Sequence, residues 1–398
     1  MRFRGQLQNT LDSTHYAIFI LSPELSEPAL VFVADGDQLE QVVIEKHLSA
    51  CTSPQTVVPG ADLYNAVWKK INPFVQNAKS IFVSADGCFH KINFATLRQA
   101  DNTYLLDRYT FYPVFSLKDI LSQNVRTQLG SKSAVLLGNP AFLPQNASAN
   151  SSTSRSRSAV ETVPDTNTYT LDNPIGVLRD LHATRGIELS PLPGSQKEVD
   201  QLAALFQRNA WHVSLFTGAQ AREEELKSLR SPRVLHLATH GYFLANERAS
   251  TAGLSKETVV RNPLLRSMLF FAGAQNTLDK KPLNSKEDGI LTAYEVLNMN
   301  LDSTELVVLS ACKTGQGKVQ NGEGVYGLQR ALRIAGAQSL LLSLWDVDDE
   351  VGRMFMQTFY EQWLGGKSKP EAFRYTQLAI KVKFPHPFYW AGFILIGK

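Results

Sequence analysis

The residues best suited to chemistry stand at the ends of three apolar runs. "VLHLATHG" ends at His240 and Gly241, "LVVLSACKTG" carries Cys312, and "LLLSLWDVDD" ends in Asp346, Asp348 and Asp349. A thiolate attacks a carbonyl carbon well, and an imidazole beside it can hold the thiolate ready and protonate a leaving amine. Gly241 has no side chain to crowd a substrate carbonyl, and its N–H together with that of Cys312 would bind a developing oxyanion. Gly315 and Gly317 allow a sharp turn after the thiol.

Each of these residues also has a plainer reading. A cysteine closing an apolar strand is ordinarily a small buried residue. Aspartates between a strand and a helix are good N-caps. His236 and His240 form H-x-x-x-H, a metal spacing on a helix. The run "VLHLAT" has the composition of a strand, however, and neither histidine has the glutamate of H-E-x-x-H beside it. "GQGKVQNGEG" is glycine-rich without the order G-x-x-x-x-G-K-[ST] of a phosphate loop. No metal and no cofactor is expected.

The surrounding elements would have to bring these residues together. In the last part of the chain strands and helices alternate. "GSQKEVDQLAALFQRN" reads as a helix opened by a Ser195/Glu198 capping box, "GEGVYGLQRALRIAGAQ" as a helix stopped near Gly336, and "KPEAFRYTQLAIKV" as a helix with Pro370 in its first turn. "EVGRMFMQTFYEQWLGG" is another helix, and "WAGFILIG" a last strand. Such alternation predicts a mostly parallel sheet with helices on both faces, whose sites form beyond the carboxyl ends of the strands. Nearer the start, "AIFILS", "ALVFVA" and "LEQVVI" read as strands, the last two joined by a "DGD" turn. Leu63, Val67, Ile71 and Phe74 have helical spacing, and "SIFVSADG" and "AVLLGNP" read as further strands. Ser, Thr and Asn dominate Pro144–Asn173, which lacks the apolar residues to fold alone. The expected organisation is an N-terminal unit over 1–143, a linker over 144–190 and a site-bearing unit over 191–398.

Composition narrows the function classes. The 398 residues carry a formal charge of only +3, with no basic run beyond "SRSRS", which argues against nucleic acid as a partner. No apolar stretch is long enough to span a membrane, and "MRFRGQLQNTLDSTH" lacks a signal-peptide core. Three scattered cysteines without a C-x-x-C pair suit a reducing cytoplasm.

From about Ala61 onward, an ordered set of stretches resembles the CHAT family, caspase-like domains often attached to TPR repeats and related to separase and the caspases. The set includes "SIFVSADGCFHKINFATL", "PLPGSQKEVDQLAALF", "RVLHLATHGYF", "NPLLRSMLFFAGA", "EDGILTAYEVLNMNL", "ELVVLSACKTGQGKVQNGEGVYGLQRALRIAGAQSLLLSLWDVDD" and "HPFYWAGFILIG". The resemblance implies an α/β caspase-like fold with a noncatalytic caspase-like subdomain at the N-terminal end. It implies that His240 is the dyad histidine, Cys312 the nucleophile and Gly241 part of the oxyanion hole. By likeness to the "LWDVTD" stretch of separase-like relatives, Asp346, Asp348 and Asp349 become candidates for a pocket that takes a basic P1 residue, with Asp349 the nearest positional match. The function implied is a cytoplasmic cysteine endopeptidase that cleaves a partner protein, in bacterial defence or regulated cell death, under control of an activating partner or TPR region. No TPR array precedes the domain here, so the chain is either a short form or a piece of a longer protein. Two other classes stay open: a noncatalytic CHAT scaffold that binds partners, and a small-molecule hydrolase working at the same rim.

Overall fold

The computed structural model describes residues 2–5, 13–121, 131–143, 187–243, 263–265, 267–281, 285–310 and 323–397. The N-terminal part opens with an antiparallel sheet in the order β1 (Arg2–Gly5), β2 (Ser13–Ile20), β3 (Ala29–Val33). Alternation along β2 and β3 sends Tyr16, Ile20, Val31 and Val33 into a core, which a helical run over 64–75 completes with Val67, Trp68 and Ile71. Leu39–Ile44, expected as a strand, is instead helical and continuous with its neighbours over 36–51. Asp35 caps the run by accepting the Gln38 N–H at 3.0 Å, and Leu39, Ile44, His47 and Cys51 are its buried residues. The "DGD" stretch is therefore a helix start, and packing has overridden the strand preference of Val42, Val43 and Ile44. Strands β4 (Ser80–Val83) and β5 (Thr110–Pro113) form a parallel pair that is only half-buried.

The main sheet has six strands. They are β6 (Ser133–Pro140), β7 (His212–Gly218), β8 (Val234–Ala238), β12 (Leu306–Leu309), β13 (Ser339–Ser343) and β14 (Phe393–Gly397), in the spatial order β14-β13-β12-β8-β6-β7. All neighbours are parallel except β13 and β14. Among the central strands β12 is apolar along its whole length and β8 is interrupted only by His236, because both faces are covered. On one face Leu136, Val234, Leu306, Val308 and Leu341 meet helices α1 (Pro193–Arg208), α3 (Asp349–Leu364) and α4 (Lys369–Lys383). On the other, Leu137, Leu235, Val307 and Leu340 meet Leu328, Ala331 and Leu332 of α2 (Glu323–Ile334). This is the expected α/β architecture, a mostly parallel sheet with helices on both faces. Strand β6 precedes the Ser/Thr-rich stretch and still joins this sheet, so the sheet draws on chain from both sides of it. Asn93 ties the N-terminal part to the sheet edge by donating to the carbonyls of Ala391 and Phe393, each at 3.1 Å.

A second small sheet sits beyond the end of β8. Strands β9 (Gly241–Phe243), β10 (Ser267–Phe270) and β11 (Ile290–Thr292) pair antiparallel in the order β11-β10-β9. Strand β9 follows β8 after two residues, Thr239 and His240.

Candidate active site

Strands β8 and β12 are neighbours and parallel, with Leu237 opposite Leu309. The Ser310 N–H donates to the Leu237 carbonyl at 2.9 Å, so the pairing lasts to the carboxyl end of both strands. His240 is the third residue past Leu237, and in the sequence Cys312 is the third past Leu309. Cys312 itself, with Gly315 and Gly317, lies outside the described residues. Strand β13 flanks β12 on the side away from β8 and leads to Asp346, Asp348 and Asp349. The three strand ends thus share one edge, with β12 in the middle.

His240 is buried where β8 turns into β9, and its ring lies 5.1 Å from that of Phe142. Its Nε2 is 2.8 Å from the carbonyl oxygen of Ser190. A carbonyl only accepts, so Nε2 carries a hydrogen, and in the neutral ring Nδ1 is the basic nitrogen. The backbone here is fixed as well. The His240 carbonyl accepts the Phe270 N–H at 3.0 Å, and the Thr239 hydroxyl donates to the Phe270 carbonyl. Antiparallel ladders alternate hydrogen-bonded and non-bonded pairs, so Leu269 and Gly241, next in register, are a non-bonded pair. The Gly241 N–H is therefore turned away from β10.

Sequence reading missed Ser190 by counting 144–190 as linker. The residues just before α1 are in fact tied down. Ile187, Leu189 and Leu192 pack on a small core with Phe142, Tyr242 and Phe270. Leu189 N–H donates to Gln275 Oε1 at 2.9 Å and Leu192 N–H to Asn139 Oδ1 at 3.1 Å. The alternating Ile187 and Leu189 ahead of "SPLPG" were the available signal.

His236, four residues before His240, is a packed strand residue. Its Nε2 lies 2.8 Å from Glu198 Oε1 and its Nδ1 3.2 Å from the Tyr360 hydroxyl. Burial, with Glu198 nearby, holds that phenol well above its usual range. The expected Ser195/Glu198 capping box is corrected accordingly. Helix α1 begins earlier, at Pro193, and Glu198 is spent on His236. Ser195 Oγ donates to the Leu192 carbonyl and accepts the Asn139 N–H, both at 2.8 Å.

The three aspartates are exposed. Asp348 is the N-cap of α3, its Oδ1 accepting from Glu350 and Val351 at 3.0 and 3.1 Å. Asp349 lies against Gly194, where an added Cβ would come within 2.9 Å of its Oδ2. Among the described residues, Glu223, Glu287 and Glu295 converge in the manner of metal ligands, but Lys227 Nζ occupies their midst, at 2.6, 2.6 and 2.9 Å. No helix among the described residues is long and apolar enough to cross a membrane.

Residues 57–398 match the family pattern of the CHAT domain. Tetratricopeptide repeat protein 28 of Homo sapiens is 26% identical over 80% of this chain, which spans only 12% of that relative. Of solved structures, separase in the Saccharomyces cerevisiae separase–securin complex is similar at a TM-score of 0.37 and 11% identity, covering 84% of this chain and 17% of that one. The Arg-specific cysteine proteinase gingipain R is similar at a TM-score of 0.44 and 8% identity, covering 91% of this chain and 74% of that one.

Proposed function

The chain belongs to the CHAT domain family, and we propose that it is a cysteine endopeptidase with His240 and Cys312 as its dyad. The observation that carries this reading is the register: two neighbouring parallel strands end together, and each chain then reaches its candidate residue in the same number of steps. In this reading the Cys312 sulfur attacks the scissile carbonyl. His240, oriented through Nε2 by Ser190, takes the thiol proton on Nδ1 and passes it to the leaving amine, then takes a proton from the water that hydrolyses the thioester and returns it to the departing sulfur. The Gly241 N–H, turned out of the ladder, and the Cys312 N–H stabilise the oxyanion. Asp348 is committed to its helix cap, so preference for a basic P1 residue falls to Asp346 and Asp349. The substrate is a partner protein, and its cleavage serves bacterial defence or regulated cell death, under a helical-repeat partner or region of the kind named in the relatives.

The test is mapping of new protein N-termini in cells that express the wild-type chain, Cys312→Ala or His240→Ala. Cleavage sites present only with the wild type, with Arg or Lys before the cut, are expected. The same sites in either variant would refute the dyad, and no wild-type-specific site with any candidate partner would favour the noncatalytic scaffold.

A further inference from the structure

The cluster around Lys227 lies outside the chemistry described so far, yet hydrogen bonds connect it to His240. Glu223 and Lys227 belong to the short helix Glu223–Lys227 that follows the edge strand β7. Lys227 Nζ grips the loop before β11 through Glu287 and the helical turn after it through Glu295, so the strand is held at both ends. Glu223 is fully buried. Its Oε1 forms an ion pair with Lys227 Nζ at 2.6 Å, and its Oε2 accepts the Gly289 N–H at 2.9 Å. Gly289 then hands the constraint on. It has a φ of +80°, and a Cβ there would come within 2.8 Å of the Ala274 nitrogen, so the backbone at this point has one way to sit. Its carbonyl accepts the Phe271 N–H at 2.8 Å. The adjacent Phe270 donates its own N–H to the His240 carbonyl and accepts from Thr239. Three links, Glu223 to Gly289 to the Phe270–Phe271 pair to His240, therefore join the cluster to the turn that carries both the candidate base and the Gly241 N–H.

We propose that Glu223, locked by Lys227, is a positioning residue: it sets the placement of β11 and β10 and through them the placement of the His240–Gly241 turn. This rests on the reading of His240 as the dyad histidine. The chemistry of the cluster suits a rigid anchor. Burial first, then the neighbouring carboxylates Glu295 and Asp288, push the Glu223 carboxyl above its usual range against the pull of Lys227. Glu287 pairs with the same ammonium, and its N–H donates to Glu224 at 3.3 Å.

The test separates this role from the peptidase reading by following the ring as well as the reaction. In protein labelled at histidine, Glu223→Ala is expected to shift the His240 imidazole signals while those of His236 and His47 stay in place. With a peptide substrate, kcat is expected to fall about tenfold at unchanged KM. Glu223→Gln keeps an acceptor for the Gly289 N–H and is expected to restore most of both. Should Glu223→Ala not fold, Glu287→Ala on the half-exposed side of the cluster is expected to shift His240 in the same direction by less. Unmoved His240 signals in a folded variant would overturn the proposal. So would equal shifts of all three histidines, which would mark a general loosening. A moved His240 in a protein that cleaves nothing would uphold the anchor and sink the peptidase reading instead.

Discussion

The molecule holds a histidine beside a cysteine in one region and, in another, the histidine proposed as the partner of Cys312, and the two settings differ in kind. In the N-terminal unit His47 and Cys51 are one helical turn apart, with Sγ 3.6 Å from Nε2 and Nε2 2.8 Å from the Thr96 hydroxyl. Burial lowers that imidazole to about 4 and pushes the thiol up to about 12, so both are neutral near pH 7. His240 is just as buried, at 5% exposure for each histidine. Depth is therefore not the distinction. His47 meets the Thr96 hydroxyl, whose one hydrogen goes to the Asn93 carbonyl at 2.6 Å, so its Nε2 also carries the hydrogen and tautomer is not the distinction either. His240 meets a carbonyl, which likewise fixes the hydrogen on Nε2 and the basicity on Nδ1. It differs in sitting past the end of a parallel strand, where substrates reach a sheet. A thiol near an imidazole is common chemistry for a core; location past a strand end makes it a candidate for catalysis.

The sharpest way to break this contrast is to truncate both rings. His240→Ala is expected to lower kcat/KM on a cleaved peptide by about a thousandfold or more, whereas His47→Ala is expected to leave it within about twofold. Comparable losses would erase the distinction.

His47 should instead appear in stability against pH. The unfolded chain takes up a proton near pH 6.5, and the folded one resists it until about 4. Stability contributed by this group is thus complete above pH 6.5 and lost as pH falls toward 4, to the extent of about 3 kcal/mol. Urea midpoints measured over that range should fall in the wild type and fall less in His47→Gln. Parallel curves would contradict the assignment.

The same distinction can be drawn along a single strand. His236 shares β8 with the approach to His240 but spends both nitrogens on Glu198 and Tyr360. Glu198→Ala should cost about 2 kcal/mol by leaving a buried ring short of a partner. The urea midpoint is expected to drop at constant slope, with alkylation of Cys312 unaffected in the folded protein. At the smallest scale, Asp348→Ala should remove the α3 cap for about 1 kcal/mol, read in thermal unfolding, while Asp348→Asn should retain most of it.

Much of this was legible in the sequence, for identifiable reasons. Strands β8, β12 and β13 are buried on both faces and so read as largely apolar runs, His236 in β8 apart, which placed His240 and the aspartates at one edge. Helix α4 announced itself through Pro370, and the structure adds a Ser368/Glu371 capping box at its start. Three things were hidden. The helical run over 36–51 carries β-branched residues whose local preference packing overrides. Glu198 looked like a cap because capping and a bond to His236 call for the same residue type. The Ser190 carbonyl was invisible because backbone groups leave no mark in composition, and a partner fifty residues away in the chain has no spacing rule.

The most direct measurement is the alkylation of the three cysteines in the folded protein by iodoacetamide at pH 7, followed peptide by peptide. Cys312 is expected to react fastest and to slow markedly in His240→Ala, with Cys51 slowest throughout because its thiol is buried and held near 12. A Cys312 that reacts no faster than Cys88, or at the same rate with and without the His240 ring, would contradict the pairing of these two residues in one site.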